Sequence, residues 1–291
     1  MVMHSRSILK SVVSLAEVAT LLCFVNAKES QTSTLAHGPD GFPFELPPFA
    51  AILRTHAAAD FGRSFRHPFV LSLANGSLAA ETFRFYQMQD ARYLEALADA
   101  ASLISTRTHE PDSKMWWIEA ARLALIVERS LHLNYGTKLG YGPADIAALR
   151  LTPTNRAYQA HLVDTATRGS LVEAIAAFAP CPWLYASLGQ HLQRTMGEPA
   201  ADHPYAEWLK TYAAPDFLTY MSVLLEELQT AANAAGEREL TRAKEAFLTS
   251  VRYEWAFWEQ AWVREGWPGE TMGGDAAGDA LVDDGSVGAS A

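Results

Sequence analysis

The segment around Cys181 carries the residue with the most distinctive chemistry in this sequence. Cys181 lies between two prolines in an otherwise apolar stretch, Ala179-Pro180-Cys181-Pro182-Trp183-Leu184-Tyr185. Because proline removes a backbone donor and interrupts a helix, the two prolines predict a kink that turns the thiol toward a cavity. A thiolate is a strong nucleophile, although a thiol with a pKa of about 8.5 is mostly protonated at neutral pH. The alternative is a small buried apolar residue, which is the more common use of a lone cysteine.

Two carboxylates fall on helical stripes that are otherwise apolar. Their apolar companions recur at spacings of three and four: Phe83, Tyr86, Tyr93, Leu94 and Leu97 for Asp90, and Phe247, Val251, Trp258 and Ala261 for Glu254. A charged carboxylate buried without a partner is costly, so each must be hydrogen-bonded, paired or protonated. Either acid could transfer protons beside a thiol. The alternative for each is a structural acid that binds a tyrosine hydroxyl or a helix end.

Cysteine and histidine usage indicates a site that works without a metal. Cys23 lies in a leader-like segment and leaves Cys181 as the one thiol of the body, which excludes a disulfide scaffold and disfavours a cysteine zinc site. Glu128 and His132 could share a helix face, but the two Glu-x-x-His motifs that a di-iron bundle needs do not occur. We interpret this pair as structural. The sequence has no Gly-rich phosphate loop and no Gly-x-Ser-x-Gly elbow, and we predict no cofactor.

Bulk composition is typical of a globular protein with a small-molecule ligand. The chain has 291 residues, of which 49% are hydrophobic and 19% charged, enough apolar material for one large core. The formal net charge of -10, without a cluster of Lys and Arg, disfavours nucleic acid as a partner. Eight Trp, ten Tyr and thirteen Phe indicate that aromatic faces line something besides the core.

Changes in composition divide the chain into four segments. Residues 1–27 resemble a signal peptide, because Arg6 and Lys10 precede an apolar run that ends in Val-Asn-Ala. Glu17 interrupts that run, which favours a cytoplasmic protein, with export as the alternative, and the run is too short for a transmembrane helix. We predict a linker over 28–48, one folded domain over 49–267, and a disordered acidic, Gly-rich tail over 268–291.

The predicted domain has a helical apolar period throughout, and no run alternates at period two for long enough to form a strand. Asn75-Gly76-Ser77 predicts a turn and Gly140-Tyr141-Gly142-Pro143 a loop. The predicted helices are 49–65, 79–106, 112–134, 143–149, 153–167, 170–196, 203–212, 215–234 and 238–265. We therefore expect an all-α multi-helix bundle with an internal pocket between facing helices.

A series of motifs runs in order over about residues 50–267. They are His67-Pro68-Phe69-Val70, Asn75-Gly76-Ser77-Leu78, Phe83-x-x-Tyr86-x-x-Gln89-Asp90-x-x-Tyr93-Leu94, Glu128-x-x-x-His132, Pro153-Thr154-x-x-x-Tyr158, Pro180-Cys181-x-Trp183-x-Tyr185-x-x-x-Gly189, His203-Pro204-Tyr205-x-x-Trp208-x-x-x-Tyr212, Tyr253-Glu254-x-x-Phe257-Trp258 and Glu265-Gly266-Trp267. In combination they resemble the TenA/thiaminase II family, in its cysteine-containing class of aminopyrimidine aminohydrolases.

This resemblance implies a haem-oxygenase-like α-helical bundle without haem, a homotetramer, and a hydrolase of thiamin salvage. Members with the cysteine cleave the C–N bond of 4-amino-5-aminomethyl-2-methylpyrimidine through a covalent cysteine adduct, with thiamin as a second candidate substrate. The product is 4-amino-5-hydroxymethyl-2-methylpyrimidine. The implied site residues are Cys181 as the nucleophile, Glu254 as the acid at a ring nitrogen, Asp90 at the 4-amino group, and Tyr93, Tyr158, Tyr185, Tyr205 and Phe257 as the pocket lining.

Two other classes of protein remain open on the sequence. A non-catalytic protein that binds pyrimidine or thiamin would need the same pocket, and a metal-dependent oxygenase could use the same bundle. Release of ammonia from bound aminomethylpyrimidine would separate an enzyme from a binding protein. Stoichiometric iron in the purified protein would indicate the oxygenase.

Overall fold

The computed structural model describes residues 40–269, apart from the side chains of residues 127–133. The leader-like segment 1–27, the predicted linker up to residue 39 and the predicted tail from residue 270 lie outside the described residues. Within the described range all regular secondary structure is helical, which confirms the predicted all-α class.

Twelve helices make up the described part of the chain. They are α1 (Pro48–His56), α2 (Ala58–Ser64), α3 (Pro68–Ala74), α4 (Ala80–Arg107), α5 (Pro111–Leu139), α6 (Pro143–Ala148), α7 (Pro153–Arg168), α8 (Leu171–Phe178), α9 (Pro180–Met196), α10 (Ala206–Ala213), α11 (Pro215–Ala234) and α12 (Glu237–Trp262). Seven of them begin with a proline, whose preset φ and missing N–H suit the first helical position. α8 begins with a reciprocal cap between Ser170 and Glu173 instead.

The observed helices differ from the predicted ones in three places. The predicted helix 49–65 is two helices, α1 and α2, which meet at Ala57, and α3 is an additional helix. The predicted helix 170–196 divides at Ala179 into α8 and α9, because Pro180 and Pro182 cannot donate hydrogen bonds to the preceding turn. Ala179 nevertheless keeps a helical backbone (φ -59°, ψ -35°), so the chain runs on from α8 to α9 without a loop.

The core of the bundle forms where α4, α8 and α12 meet their neighbours. α4 packs along α5 and α7, and α12 packs along α8. α8 is buried from Val172 through Phe178. The segment Leu171–Met196 is long and apolar enough to cross a membrane by composition, but 89% of its most apolar window is buried inside the protein. Its apolar character therefore serves the packing of the core.

Residues 40–47, which the composition assigns to the linker, pack against the bundle. The buried Asp40 carboxylate accepts hydrogen bonds from Arg54 Nε at 2.7 Å and from Trp183 Nε1 at 3.2 Å. The apolar residues of this segment belong to the core: Phe42 is buried, and Phe44 and Leu46 pack against it. Since Trp183 lies two residues after Cys181, the contact ties the N-terminal segment to the helix that carries the thiol.

Gly189 lets α9 and α10 approach closely, and its replacement is expected to destabilise the fold. A Cβ at position 189 would lie 2.4 Å from the backbone oxygen of Tyr212. We expect Gly189→Ala to lower the free energy of unfolding by about 2 kcal/mol in urea denaturation, because backbone must move to admit the methyl group. The matched control Gly62→Ala is expected to raise it by about 0.5–1 kcal/mol, since its Cβ meets only the Arg66 guanidinium at 3.6 Å. Equal stabilities of wild type and Gly189→Ala would contradict this expectation.

Candidate active site

Four helices bring chemically active side chains to one region inside the bundle. α4 carries Asp90, α7 carries Tyr158, α12 carries Glu254, and α9 presents Cys181 in its first turn. Asp90, Tyr158 and Glu254 are buried, whereas Cys181 is partly exposed. The two stripes predicted on α4 and α12 face inward, since their aromatic members are buried together with the carboxylates.

Glu254 is a buried carboxyl group that favours its protonated form. Burial raises the pKa of Glu254 to about 8; the hydrogen bond from Tyr158 lowers this pKa, and the charge of Asp90 raises it. The Tyr158 hydroxyl donates to Glu254 Oε1 at 2.6 Å. Burial has the largest effect because apolar surroundings do not replace the hydration of a charge. Glu254 can therefore donate a proton at neutral pH, where an exposed glutamate is already ionised.

The Cys181 side chain shares this region with Glu254 and two tyrosines. Burial raises the pKa values of Tyr93 and Tyr158 well above the ordinary value, and the charges of Cys181 and Glu254 raise both further. Charge effects fall off with distance, so the thiol, the carboxyl group and both phenols lie close together. Three distant segments of sequence thus place Cys181, Glu254 and Asp90 in one region, while their catalytic roles remain predictions.

Aromatic rings enclose the carboxyl group of Glu254. The ring centroids of Tyr93 and Tyr158 are 4.8 Å apart, and those of Tyr93 and Phe257 are 5.4 Å apart. The buried Tyr93 hydroxyl has no partner in good hydrogen-bond geometry among the described residues, although it lies close enough to the Tyr158 hydroxyl to affect its pKa. Since an unpaired buried donor is costly, this hydroxyl is suited to a polar atom of a ligand or to a water molecule. The predicted pocket residues Tyr93, Tyr158 and Phe257 therefore form one aromatic lining.

Tyr185 borders the same region and contacts Tyr86, a residue that the sequence analysis did not assign to the site. The hydroxyl groups of Tyr185 and Tyr86 lie 2.7 Å apart, and the Tyr86 ring lies 6.0 Å from that of Phe257. Burial raises the pKa of Tyr185 well above its ordinary value, and the charges of Tyr86, Asp90 and Glu254 raise it further. The signal for Tyr86 is its position one helical turn before Asp90, which places both on one face of α4.

Tyr205 lies one layer away from the carboxyl groups. Its hydroxyl donates to the backbone oxygen of Leu78 at 2.6 Å, and its ring centroid lies 4.4 Å from that of Phe83. Phe83 in turn packs against Tyr86. Tyr205 therefore supports the aromatic lining from behind in this structure, with its hydroxyl committed to the backbone. Its predicted place in the pocket lining stays a prediction.

Tyr141, in the loop between α5 and α6, is a second residue that the sequence analysis passed over. Burial raises the pKa of Tyr141, and the negative charge of Asp90 raises it further, whereas the Arg84 guanidinium lowers it. A cavity of about 480 Å³ between α4, α5 and α6 reaches Tyr141. Neither this cavity nor one of about 640 Å³ between α9, α10 and α11 is lined by any of the predicted site residues. No periodicity places Tyr141 near Asp90, because a loop residue belongs to no helix face.

The described side chains include no group of three His, Cys, Asp or Glu residues arranged to hold a metal ion. Glu128 and His132, the pair interpreted as structural, belong to α5 but lie among the side chains that are not described. The region around Glu254 offers a thiol, two carboxyl groups and phenol hydroxyls among apolar rings. Such groups can supply a nucleophile, a proton donor and hydrogen bonds to a small heteroaromatic ligand.

The fold and the site together define an all-α bundle of the haem-oxygenase-like type with a thiol and carboxyl groups in its core. A domain with a heme oxygenase-like fold from Shewanella denitrificans os217 covers 74% of this chain and 92% of its own, with a TM-score of 0.57 at 12% identity, and indicates the fold alone. The sequence profile of the TENA/THI-4/PQQC family matches residues 56–264. The chain belongs to this family.

Relatives that match over nearly their whole length lie within the family. A protein of Halalkalibacterium halodurans named aminopyrimidine aminohydrolase is 32% identical over 220 residues, which are 75% of this chain and 97% of the relative. A Bacillus subtilis protein of the same name is 29% identical over 75% of this chain and 92% of its own. The TenA homologue from P. horikoshii OT3 is 30% identical, with a TM-score of 0.66 over 74% of this chain and 98% of its own. The predicted family is thereby confirmed.

Proposed function

We propose that this protein is a hydrolase of thiamin salvage, which converts 4-amino-5-aminomethyl-2-methylpyrimidine and water into the hydroxymethylpyrimidine and ammonia. The observation that carries the proposal is that Tyr93 and Tyr158 lie near both the thiol of Cys181 and the carboxyl group of Glu254, and that burial keeps Glu254 protonated up to about pH 8. The family and the names of the two bacterial relatives support this substrate class. Thiamin contains a pyrimidine–methylene–nitrogen bond of the same kind and is the second substrate to test.

The first half of the proposed reaction is expulsion of the amine. Cys181 adds as a thiolate to a carbon of the electron-poor ring, and the electron pair of the broken ring π bond moves to a ring nitrogen. That nitrogen takes the proton of Glu254. The electrons of the dearomatised ring then move to form a double bond to the exocyclic methylene, and the C–N bond breaks. The amine leaves as ammonia, with the proton that the Cys181 thiol gave up on becoming a thiolate.

The second half restores the ring. Water adds to the exocyclic methylene as the C–O bond forms, the ring nitrogen returns its proton to Glu254, and the C–S bond breaks. The proton that water loses goes to the departing sulfur, which restores the thiol of Cys181. The net change exchanges an amino group for a hydroxyl group, with no oxidation or reduction. A covalent intermediate replaces direct displacement by water, which has a higher barrier at this carbon.

The remaining site residues bind and orient the ring in this proposal. Asp90 accepts a hydrogen bond from the 4-amino group, and its charge also raises the pKa of Glu254. Tyr93 and Phe257 pack on the ring, and the Tyr93 hydroxyl meets the leaving amine or the attacking water. Tyr185, held by Tyr86, borders the other side of the ligand.

A product assay tests the proposed function. Purified protein is incubated with 4-amino-5-aminomethyl-2-methylpyrimidine or with thiamin, and ammonia and the hydroxymethylpyrimidine are quantified against a heat-inactivated control. We expect turnover of the aminomethylpyrimidine. Stable binding of this compound in calorimetry, without ammonia after long incubation, would instead identify a non-catalytic pyrimidine-binding protein.

We further propose a homotetramer in the cytoplasm. The resemblance to the family supports the tetramer, and α5 exposes Met115, Ile118 and Leu125 by 65%, 50% and 45%, an apolar stripe suited to a subunit contact. The interruption of the leader-like segment by Glu17 supports the location. Light scattering gives the assembly, and the intact mass of natively produced protein shows whether residues 1–27 are removed.

A further inference from the structure

Two hydrogen bonds join α7 to α12: one between Tyr158 and Glu254, and a second one further along both helices. The Thr152 hydroxyl, at the N-terminal cap of α7, donates to Gln260 Oε1 on α12. Thr152 precedes Tyr158 by six residues, and Gln260 follows Glu254 by six residues. Since six residues span about 9 Å of helix, the two contacts together fix the antiparallel register of α7 against α12. A slip at one contact must therefore move the other.

A third helix joins this contact through Gln89, the neighbour of Asp90 on α4. The Gln89 amide donates to the Arg150 carbonyl at 3.0 Å, and its Oε1 accepts from Asn155 Nδ2 at 2.7 Å. Asn155 Nδ2 also donates to the Gln89 carbonyl at 2.9 Å, and the Asn155 N–H donates to Thr152 Oγ1 at 3.1 Å. These side chains are buried, so water does not compete for their hydrogen bonds.

The segment that follows α12 also forms hydrogen bonds with the N-terminal end of α7. Glu265 accepts hydrogen bonds from the Thr154 N–H and the Thr154 hydroxyl, both at 3.0 Å. Trp267 Nε1 donates to the Leu151 carbonyl at 2.8 Å. Side chains from α4 and from the end of α12 thus hold the first turn of α7, although no residue of this turn belongs to the site. This density of polar contacts exceeds what a helix cap requires.

We propose that Thr152 is a positioning residue: with Gln89, Asn155 and Gln260 it forms a polar clamp that keeps the Tyr158 hydroxyl on Glu254 Oε1. The proposal rests on the proposed function only for its effect on turnover, because the contacts themselves are independent of any substrate. The clamp acts through Tyr158 and does not touch the reacting atoms. Its buried amides make it sensitive to the loss of a single hydroxyl group, because each partner would be left unsatisfied.

The clamp has a measurable consequence for the titration of Glu254. The groups that interact with this carboxyl group are Tyr158 from α7, Asp90 and Tyr93 from α4, and Tyr185 from α9. Cys181 from α9 acts on two of these groups, Tyr93 and Tyr158. Of these, Tyr158 is the one whose hydrogen bond lowers the pKa of Glu254. If the register slips and this bond lengthens, the pKa of Glu254 rises further above about 8.

Two substitutions of Thr152 test the proposal. Thr152→Val keeps the shape and removes the hydroxyl, whereas Thr152→Ser keeps the hydroxyl. The Glu254 resonance of protein labelled with ¹³C at Glu Cδ, assigned by its absence in Glu254→Gln, reports the titration directly. We expect Thr152→Val to raise the titration midpoint by about one pH unit, the size expected for loss of a hydrogen bond to a charged group. Thr152→Ser should titrate like the wild type.

Two further variants separate the clamp from a general loss of stability. Gln260→Met removes the same contact from the α12 side and leaves the cap of α7 intact, so it should raise the midpoint as Thr152→Val does. In Tyr158→Phe the bond is already absent, and adding Thr152→Val should change the midpoint by much less than one unit. Thr108→Val, which removes a buried hydroxyl at the far end of α4, should leave it unchanged.

Midpoints of Thr152→Val and Gln260→Met that equal the wild-type value would overturn the proposal, even if both variants melt at lower temperature. Fully additive midpoints in the double variant would overturn it as well. Where the variants turn over substrate, the alkaline limb of kcat should move with the midpoint. The titration needs no substrate, so a wild type without hydrolase activity would disprove the proposed function and leave the test of the clamp intact.

Discussion

Replacement of Cys181 by alanine is expected to reduce kcat for aminopyrimidine hydrolysis by about three orders of magnitude or more. The reason is chemical: without the covalent addition, water must displace an amine directly from the methylene of an aromatic ring. A factor of a thousand corresponds to about 4 kcal/mol of activation free energy, a common size for loss of a nucleophile. Release of ammonia under saturating substrate measures the effect.

The controls for Cys181 separate chemistry from folding and binding. The thiol is partly exposed, so Cys181→Ala should keep the helical circular dichroism of the wild type and bind the aminomethylpyrimidine in calorimetry. Cys181→Ser keeps the size and a weaker nucleophile, and it should also fall far below wild-type turnover. Undiminished turnover in Cys181→Ala would rule out the covalent mechanism.

Replacement of Glu254 by glutamine is expected to lower kcat by about two orders of magnitude or more, in the range for loss of a general acid. The wild type needs the protonated form, so its kcat should fall as pH rises through about 8, the pKa of Glu254. Glutamine cannot donate this proton, so the residual activity of Glu254→Gln should lack that limb. A variant that keeps the wild-type pH profile would show that another group titrates.

The same substitution should change how stability depends on pH. The pKa of Glu254 is raised from 4.5 to about 8 in the folded protein. Below pH 4.5 Glu254 is protonated in both the folded and the unfolded state. Between pH 4.5 and about 8 the unfolded chain has lost the proton while the folded protein keeps it, so the free energy of unfolding falls as pH rises. The free energy of unfolding falls by at most about 5 kcal/mol in total, because the pKa values of about 8 and 4.5 differ by 3.5 and each pKa unit corresponds to about 1.4 kcal/mol.

Urea denaturation at pH 5, 7 and 9 measures this dependence. Glu254→Gln has no proton to lose at this position, so its free energy of unfolding should increase relative to that of the wild type as pH rises. The gain should level off above about pH 8, where the folded wild type is ionised too. A constant difference between the two proteins over this range would mean that Glu254 has an ordinary pKa.

Local rules account for much of what the sequence could predict. The proline at the start of α9 and the pair Ser170 and Glu173 at the start of α8 mark helix ends by their own chemistry, and the stripes around Asp90 and Glu254 mark inward faces. The ordered motifs further indicated the family and a set of site residues. These signals are local, because each depends on residues within one or two helical turns.

The packed segment 40–47 and the added pocket neighbours show where local rules end. Asp40 is buried because Arg54 and Trp183 converge on it from two other elements. Tyr86 joins the site because its hydroxyl contacts the hydroxyl of Tyr185 on α9. Tyr141 lies near Asp90 although it belongs to a loop, where no helical periodicity applies. Each contact joins residues that are distant in sequence or in different elements, and no spacing rule reports such distances.

The sequence by itself determined the all-α class and most of the helices, the inward placement of Asp90 and Glu254, and the thiol as the reactive candidate. The tertiary structure decided that Tyr158 meets Glu254, that Tyr205 commits its hydroxyl to Leu78, and that Thr152 meets Gln260. The physical reason is that helical periodicity sets which face a side chain occupies, whereas the rotation and register of one helix against another follow from the packing of the whole core.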